Sequence, residues 1–186
     1  MMKLLKLLYW DLNSSGMRDQ YAAFLIRNIP GRFGMMIRRM WYSKRFKKCG
    51  TNLNVLEGTH IINPQNIECG DNVSIGVCNY LQAGGGMILE SDVMLGPYVK
   101  IWTQNHNYRR YDIPVHSQGY TYNPVIIRHD VWIGANAFIM PGTEIGAKSI
   151  VSACSVVGAK EYPAGSILAG YPARRIGERE KNNPDA

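Results

Sequence analysis

The stretch Ile127-Arg-His-Asp-Val-Trp, Ile133-Gly-Ala-Asn-Ala-Phe, Ile139-Met-Pro-Gly-Thr-Glu, Ile145-Gly-Ala-Lys-Ser-Ile, Val151-Ser-Ala-Cys-Ser-Val, Val157-Gly158 sets an aliphatic residue at every sixth position. Glycine or serine often follows it (Gly134, Gly146, Ser152, Gly158), and the fifth position is small or β-branched: Val131, Ala137, Thr143, Ser149, Ser155. A helix needs a period of about 3.6 and a half-buried strand a period of 2, so six serves neither as a simple repeat. It fits a coil with three flat faces, each a short strand, joined by turns. The first residue of each six points inward, and the next one, often glycine, permits the tight or left-handed backbone of the corner. The fifth is small enough to stack beneath the next coil. Each coil buries its inner row only against its neighbours, so stability grows by stacking. The expected fold is an all-β, left-handed parallel β-helix. A β-sandwich or barrel would space its turns about 8–12 residues apart and less evenly.

The same pattern extends upstream. Cys69-Gly-Asp-Asn-Val-Ser leads to Ile75 and Leu81, and after Gly84-Gly85-Gly86 it resumes at Leu89, Leu95 and Ile101. Val55, Ile61, Ile67 and Val73 take the fifth position in the register of Cys69. Residues 104–125 break the repeat with a polar, aromatic segment, while the coils continue in register on both sides. That segment is therefore extruded, and a loop of this length is usually functional. Residues 1–50 mix apolar and basic residues at helical spacing, split by Pro30-Gly31, and read as two short helices capping the prism. The β-helix domain spans residues 51–177, closing near Pro163–Arg175, and residues 178–186 read as a polar tail.

The net charge of +7 is uneven. Residues 1–50 hold eleven Lys/Arg against two Asp, whereas residues 51–186 hold ten against twelve Asp/Glu. This argues against a nucleic-acid-binding chain and for a basic segment near anionic lipid or an anionic substrate. The four cysteines form no CxxC pair and no metal-ligand spacing, which points to reduced thiols and a cytoplasmic protein. No apolar run reaches the ~18 residues of a membrane span.

The repeats, the extruded Asn105-His106-Asn107, the coil Val131-Trp-Ile-Gly134 and the ending Ala169-Gly-Tyr-Pro-Ala-Arg174 together resemble the hexapeptide-repeat acyltransferases. The resemblance covers about residues 51–177. It is nearest to the maltose, galactoside and nodulation O-acetyltransferases and to those of capsule and exopolysaccharide synthesis. It implies a homotrimer with active sites between subunits, acetyl-CoA as donor and a saccharide acceptor. No metal is required, and the basic N-terminus would suit a peripheral contact with the inner membrane face.

Transfer of an acetyl group from a thioester to a hydroxyl needs a base, an oxyanion stabiliser and alignment. His106 is the expected general base, because imidazole titrates nearest neutral pH and the position matches the family's catalytic histidine. Asn79, Asn105 and Tyr108 are candidates for the acceptor. The resemblance assigns Trp132, Gly134, Ser152, Lys160, Arg174 and Arg175 to the coenzyme, with the cations meeting its phosphates. Relatives often carry Thr before that lysine, where this chain has Ala159. Two alternatives stand beside the saccharide O-acetyltransferase: an N-acetyltransferase of an amino sugar nucleotide, and a non-catalytic β-helix used in assembly.

Overall fold

The computed structural model describes residues 2–180, so residues 181–186 of the expected polar tail lie outside the described residues. From Lys48 the chain visits three parallel sheets in rotation. Face one stacks Lys48–Cys49, Ile67–Cys69, Met87–Leu89, Val125–Ile127, Glu144–Ile145 and Glu161–Tyr162. Face two stacks Asn54–Val55, Ser74–Ile75, Met94–Leu95, Trp132–Ile133, Ile150–Val151 and Ser166–Gly170, with Ala173–Glu178 added antiparallel at the end. Face three stacks His60–Ile62, Tyr80–Gln82, Lys100–Trp102, Phe138–Ile139 and Val156–Val157.

This is the parallel β-helix that the six-residue period predicts. Ile127, Ile133, Ile139, Ile145, Val151 and Val157 are all fully buried. They pair coil to coil, Ile127 with Ile145, Ile133 with Val151 and Ile139 with Val157. Burying one such side chain contributes roughly 1.5–3 kcal/mol, repeated along the prism, so the stack rather than any one coil holds the fold.

Two details differ from the sequence reading. Val55 and Ile61 take the first, inward position and not the fifth, since Val55 pairs with Ile75 and Ile61 with Leu81. The shift arises in a wider turn between faces three and one, where Asn63 is left-handed and Pro64–Asn66 forms a 3-10 turn. The second difference is the location of the left-handed backbone. At the regular corners positive φ falls on the fourth residue of the six, as at Asn72, Asp92, Asp130, Asn136, Lys148 and Cys154. Asn and Asp tolerate it through local hydrogen bonds, and here those bonds run up one corner. Asn52 Nδ2 donates to Asn72 Oδ1 (3.1 Å) and Asn72 Nδ2 to Asp92 Oδ1 (2.9 Å). The glycine after the aliphatic answers a different need, which is space. A Cβ on Gly134 would lie 2.6 Å from the backbone nitrogen of Ala153 in the next coil.

Three helices precede the prism: α1 (Met2–Asn13), α2 (Ser15–Arg27) and α3 (Gly31–Ser43). The split at Pro30-Gly31 is as expected, and α1 is an addition from the apolar start. On α3, Gly34, Arg38 and Tyr42 recur every four residues and are buried. Arg38 donates from Nε to the Val55 carbonyl (2.8 Å) and from Nη1 to the carbonyls of Ile29 (2.7 Å) and Ile26 (3.1 Å). The end of α2 leaves carbonyls that no helical N–H can reach. One guanidinium thus satisfies them and ties α3 to the first coil.

The extruded segment leaves at the corner between faces three and one. Its ends form an antiparallel hairpin, Gln104–His106 against Tyr120–Tyr122, with a 3-10 turn at Val115–Ser117. Beneath it Met87–Leu89 pairs directly with Val125–Ile127, so the prism continues unbroken.

Candidate active site

His106 closes the first strand of the hairpin, opposite Tyr120. The two rings lie 4.3 Å apart at 40°, so the tyrosine supports one face of the imidazole. The Asn105 side chain turns back along the strand, where its Oδ1 accepts the His106 backbone N–H (3.0 Å). Beyond the hairpin the loop is organised by two polar side chains. Gln118 Nε2 donates to the carbonyls of Arg110 (2.7 Å) and Ile113 (3.0 Å), and its Oε1 accepts the Arg110 N–H (3.1 Å). Asn107 Nδ2 donates to the Gln118 carbonyl (3.1 Å), and Thr121 Oγ1 donates to Asn107 Oδ1 (2.6 Å).

These contacts hold the loop over a cavity of about 820 Å³ whose lining includes Asn105, His106 and Tyr108, with Met140, Pro141 and Ala159 contributed by the coils. Met140 and Pro141 follow Ile139, and Ala159 follows Val157, one coil apart on the same corner. The signal for them was present in the period, because residues eighteen apart stack. Gln118 and Thr121 gave no such signal, since the loop has no repeat to fix its fold. Lys160 adjoins Ala159 on this corner, with Nζ 4.9 Å from the Tyr162 ring centroid.

The other sequence-predicted residues lie elsewhere. Trp132 is half exposed on face two, between Met94 and Ile150. Gly134 and Ser152 stand at the corner between faces two and three. Arg174 and Arg175 are exposed on the terminal antiparallel strand of face two, and Arg175 pairs with Glu178 (2.8 Å). Asn79 is buried at the same corner as Gly134, where its Oδ1 accepts the Val99 N–H (2.6 Å) and its Nδ2 has no partner. One chain therefore carries two groups on different corners. Asn105, His106, Tyr108 and Lys160 form one, and Asn79, Trp132, Gly134, Ser152, Arg174 and Arg175 form the other. Face three separates them.

A triangular prism of six-residue repeats with one loop extruded over a corner cavity defines a class of protein, the hexapeptide-repeat β-helix. Residues 124–159 match the family model described as bacterial transferase hexapeptide (six repeats). The chain is 34% identical over 112 residues to YJL218W of Saccharomyces cerevisiae, named as a candidate acetyltransferase, a match spanning 60% of this chain and 55% of that one. The chain thus spans about half the length of that curated relative. The fold matches a hexapeptide-repeat-containing acetyltransferase of Vibrio cholerae complexed with acetyl coenzyme A, with TM-score 0.79, 24% identity and coverage of 91% and 92% of the two chains. It also matches a maltose O-acetyltransferase of Clostridium difficile, with TM-score 0.75, 23% identity and coverage of 91% of each chain. The resemblance read from the repeats is thereby borne out in the fold.

Proposed function

We propose that the protein is an acetyl-CoA-dependent O-acetyltransferase acting on a saccharide hydroxyl, in surface polysaccharide biosynthesis. The observation that carries this reading is the placement of His106, held by the hairpin against Tyr120 at the edge of a cavity large enough for a sugar. In a ternary complex the imidazole removes the proton of the acceptor hydroxyl as its oxygen attacks the thioester carbonyl. The tetrahedral intermediate then collapses, the C–S bond breaks, and the imidazolium returns the proton to the leaving thiolate. The chain needs no covalent intermediate for this sequence. The likeness to proteins named for acetyl coenzyme A and for maltose supports the choice of donor and acceptor class.

The division of the predicted residues between two corners supports a homotrimer. If three prisms pack side by side, the His106 corner of one chain can face Trp132, Gly134 and Ser152 of the next, with Lys160, Arg174 and Arg175 available to the coenzyme phosphates. A cytoplasmic setting against the inner membrane face belongs to the same reading.

The test is incubation with acetyl-CoA and a panel of sugars, following thiol release and product mass. An acetylated hydroxyl is expected, with His106→Ala lowering turnover by about 10²–10⁴-fold while acetyl-CoA still binds. Substantial turnover by that variant would remove His106 from the role. Acetylation of an amine alone would favour the amino sugar nucleotide reading, and absence of acetyl-CoA binding the assembly reading.

A further inference from the structure

The N-terminal helices present an apolar surface that nothing among the described residues covers. Of the large apolar side chains exposed to solvent, thirteen lie on α1, α2 and α3. On α1 these are Leu4, Leu5, Leu7, Leu8, Tyr9, Trp10 and Leu12, interspersed with the cations Lys3 and Lys6. On α2, Tyr21, Phe24 and Leu25 continue the surface, and Tyr21 is fixed to α1 by donating to Asp11 Oδ2 (3.1 Å). On α3, Phe33, Met36 and Met40 form a stripe opposite the buried Gly34–Arg38–Tyr42 face. Monomeric proteins seldom leave a contiguous patch of this kind bare.

Charge selects the occupant. Lys3, Lys6, Arg18 and Arg32 are exposed on these same helices, and among the described residues none of the four forms an ion pair. Residues 1–50 carry +9 overall, against −2 for the remainder. Stacking two copies through this region would bring two strongly positive surfaces together, whereas an anionic bilayer attracts them. Tyr9 and Trp10 are the residue types favoured at the headgroup boundary. The twelve residues of α1 span only ~18 Å at 1.5 Å per residue, short of the ~30 Å hydrocarbon core. Among the described residues no helix is long and apolar enough to cross. A helix of this length is of a size to lie in the interface.

We propose that α1 and the outer faces of α2 and α3 form an interfacial docking surface for anionic lipid, holding the prism against the bilayer. This deepens the placement given under the proposed function and rests on that placement, but not on acetyl transfer, which is assayed separately on water-soluble sugars. The surface is read by flotation of the full chain with phosphatidylcholine vesicles and with vesicles containing phosphatidylglycerol. Partitioning onto the anionic vesicles alone, falling with added salt, is expected. Replacing the cations in Lys3→Gln/Lys6→Gln should weaken it about 30-fold, since each basic residue near such a surface contributes ~1 kcal/mol. Trp10→Ala should weaken it further, and because all three side chains are exposed the far-ultraviolet circular dichroism should not change. No binding to anionic vesicles, or equal binding to both kinds, would overturn the proposal. So would a drop in oligomeric state on Leu5→Glu/Leu8→Glu in the absence of lipid, which would show that a second copy covers the surface. Acetyl transfer to sugars persisting in these variants would separate failure of the docking from failure of the catalytic reading.

Discussion

Gly134→Ala and Gly158→Ala make the same change at the same repeat position, and the structure predicts opposite results. At Gly134 an added Cβ would lie 2.6 Å from Ala153 N, 2.8 Å from Val151 O and 3.0 Å from Ala153 Cα. All three are backbone atoms, so no side chain can swing aside. Reaching the 3.4 Å of an ordinary contact requires the coils to separate by about 0.8 Å there, against a normal inter-strand spacing of 4.7–4.9 Å. The hydrogen bond from Gly134 N–H to the Val151 carbonyl, 2.7 Å long, sits in that gap and would stretch. Overpacking of this kind typically costs about 1–3 kcal/mol. At Gly158 an added Cβ meets nothing within 4 Å, and φ is not in the left-handed range. Alanine there should be neutral or should stabilise by up to ~1 kcal/mol, through lower entropy of the unfolded chain. Urea unfolding at one fixed protein concentration reads both variants as a change in midpoint at constant slope. Equal midpoints for parent and Gly134→Ala would refute the conclusion that the next coil's backbone, and not a left-handed φ, demands glycine at this position.

Three further outcomes follow from the side chains. Burial pushes the Cys69 thiol up to about 12, whereas Cys154 is exposed. Brief alkylation at mildly alkaline pH followed by peptide mass mapping should label Cys154 and spare Cys69. On face one, burial acts to raise the Glu90 pKa, but hydrogen bonds from Arg128 (2.8 Å) and the His129 N–H (2.9 Å) outweigh it and the net shift is downward. A carboxylate with a depressed folded pKa stabilises the fold above its unfolded pKa, and loses that contribution as pH falls through the folded value. Glu90→Gln should therefore lower the melting temperature at neutral pH and narrow its difference from the parent below the ordinary carboxylate range, at ~4.3. A constant difference would remove Glu90 as the source. Gln118→Ala deletes three hydrogen bonds that organise the extruded loop. Limited proteolysis should cut residues 107–119 faster while the prism stays intact, and unchanged cleavage would show that the hairpin alone fixes the loop.

The prism was legible because its constraint is local and repeated. An inward aliphatic at each of 127, 133, 139, 145, 151 and 157 has one geometric explanation, and all six are buried as required. The register failed only where the chain gives no spacing signal, at the widened turn of Asn63–Asn66, which moved Val55 and Ile61 to the inward row. The role of glycine was also misread, because sequence alone does not tell a positive φ from a crowded Cβ. The loop was visible as an interruption, but its hairpin and the Gln118 contacts were not. Such contacts depend on which polar atoms meet after the chain doubles back, and no period records that.

The sequence by itself determined a triangular coil, because an aliphatic at every sixth residue fits a winding with three flat sides in which each coil buries its inner row against the next. The tertiary structure alone decided which residues share a corner. It put His106, Tyr108 and Lys160 on one corner and left Trp132, Gly134, Ser152, Arg174 and Arg175 beyond face three. The physical reason is that a residue's corner depends on the summed length of every preceding turn, and four of those turns depart from the repeat, between inward residues 61 and 69, 81 and 89, 101 and 127, and 157 and 162.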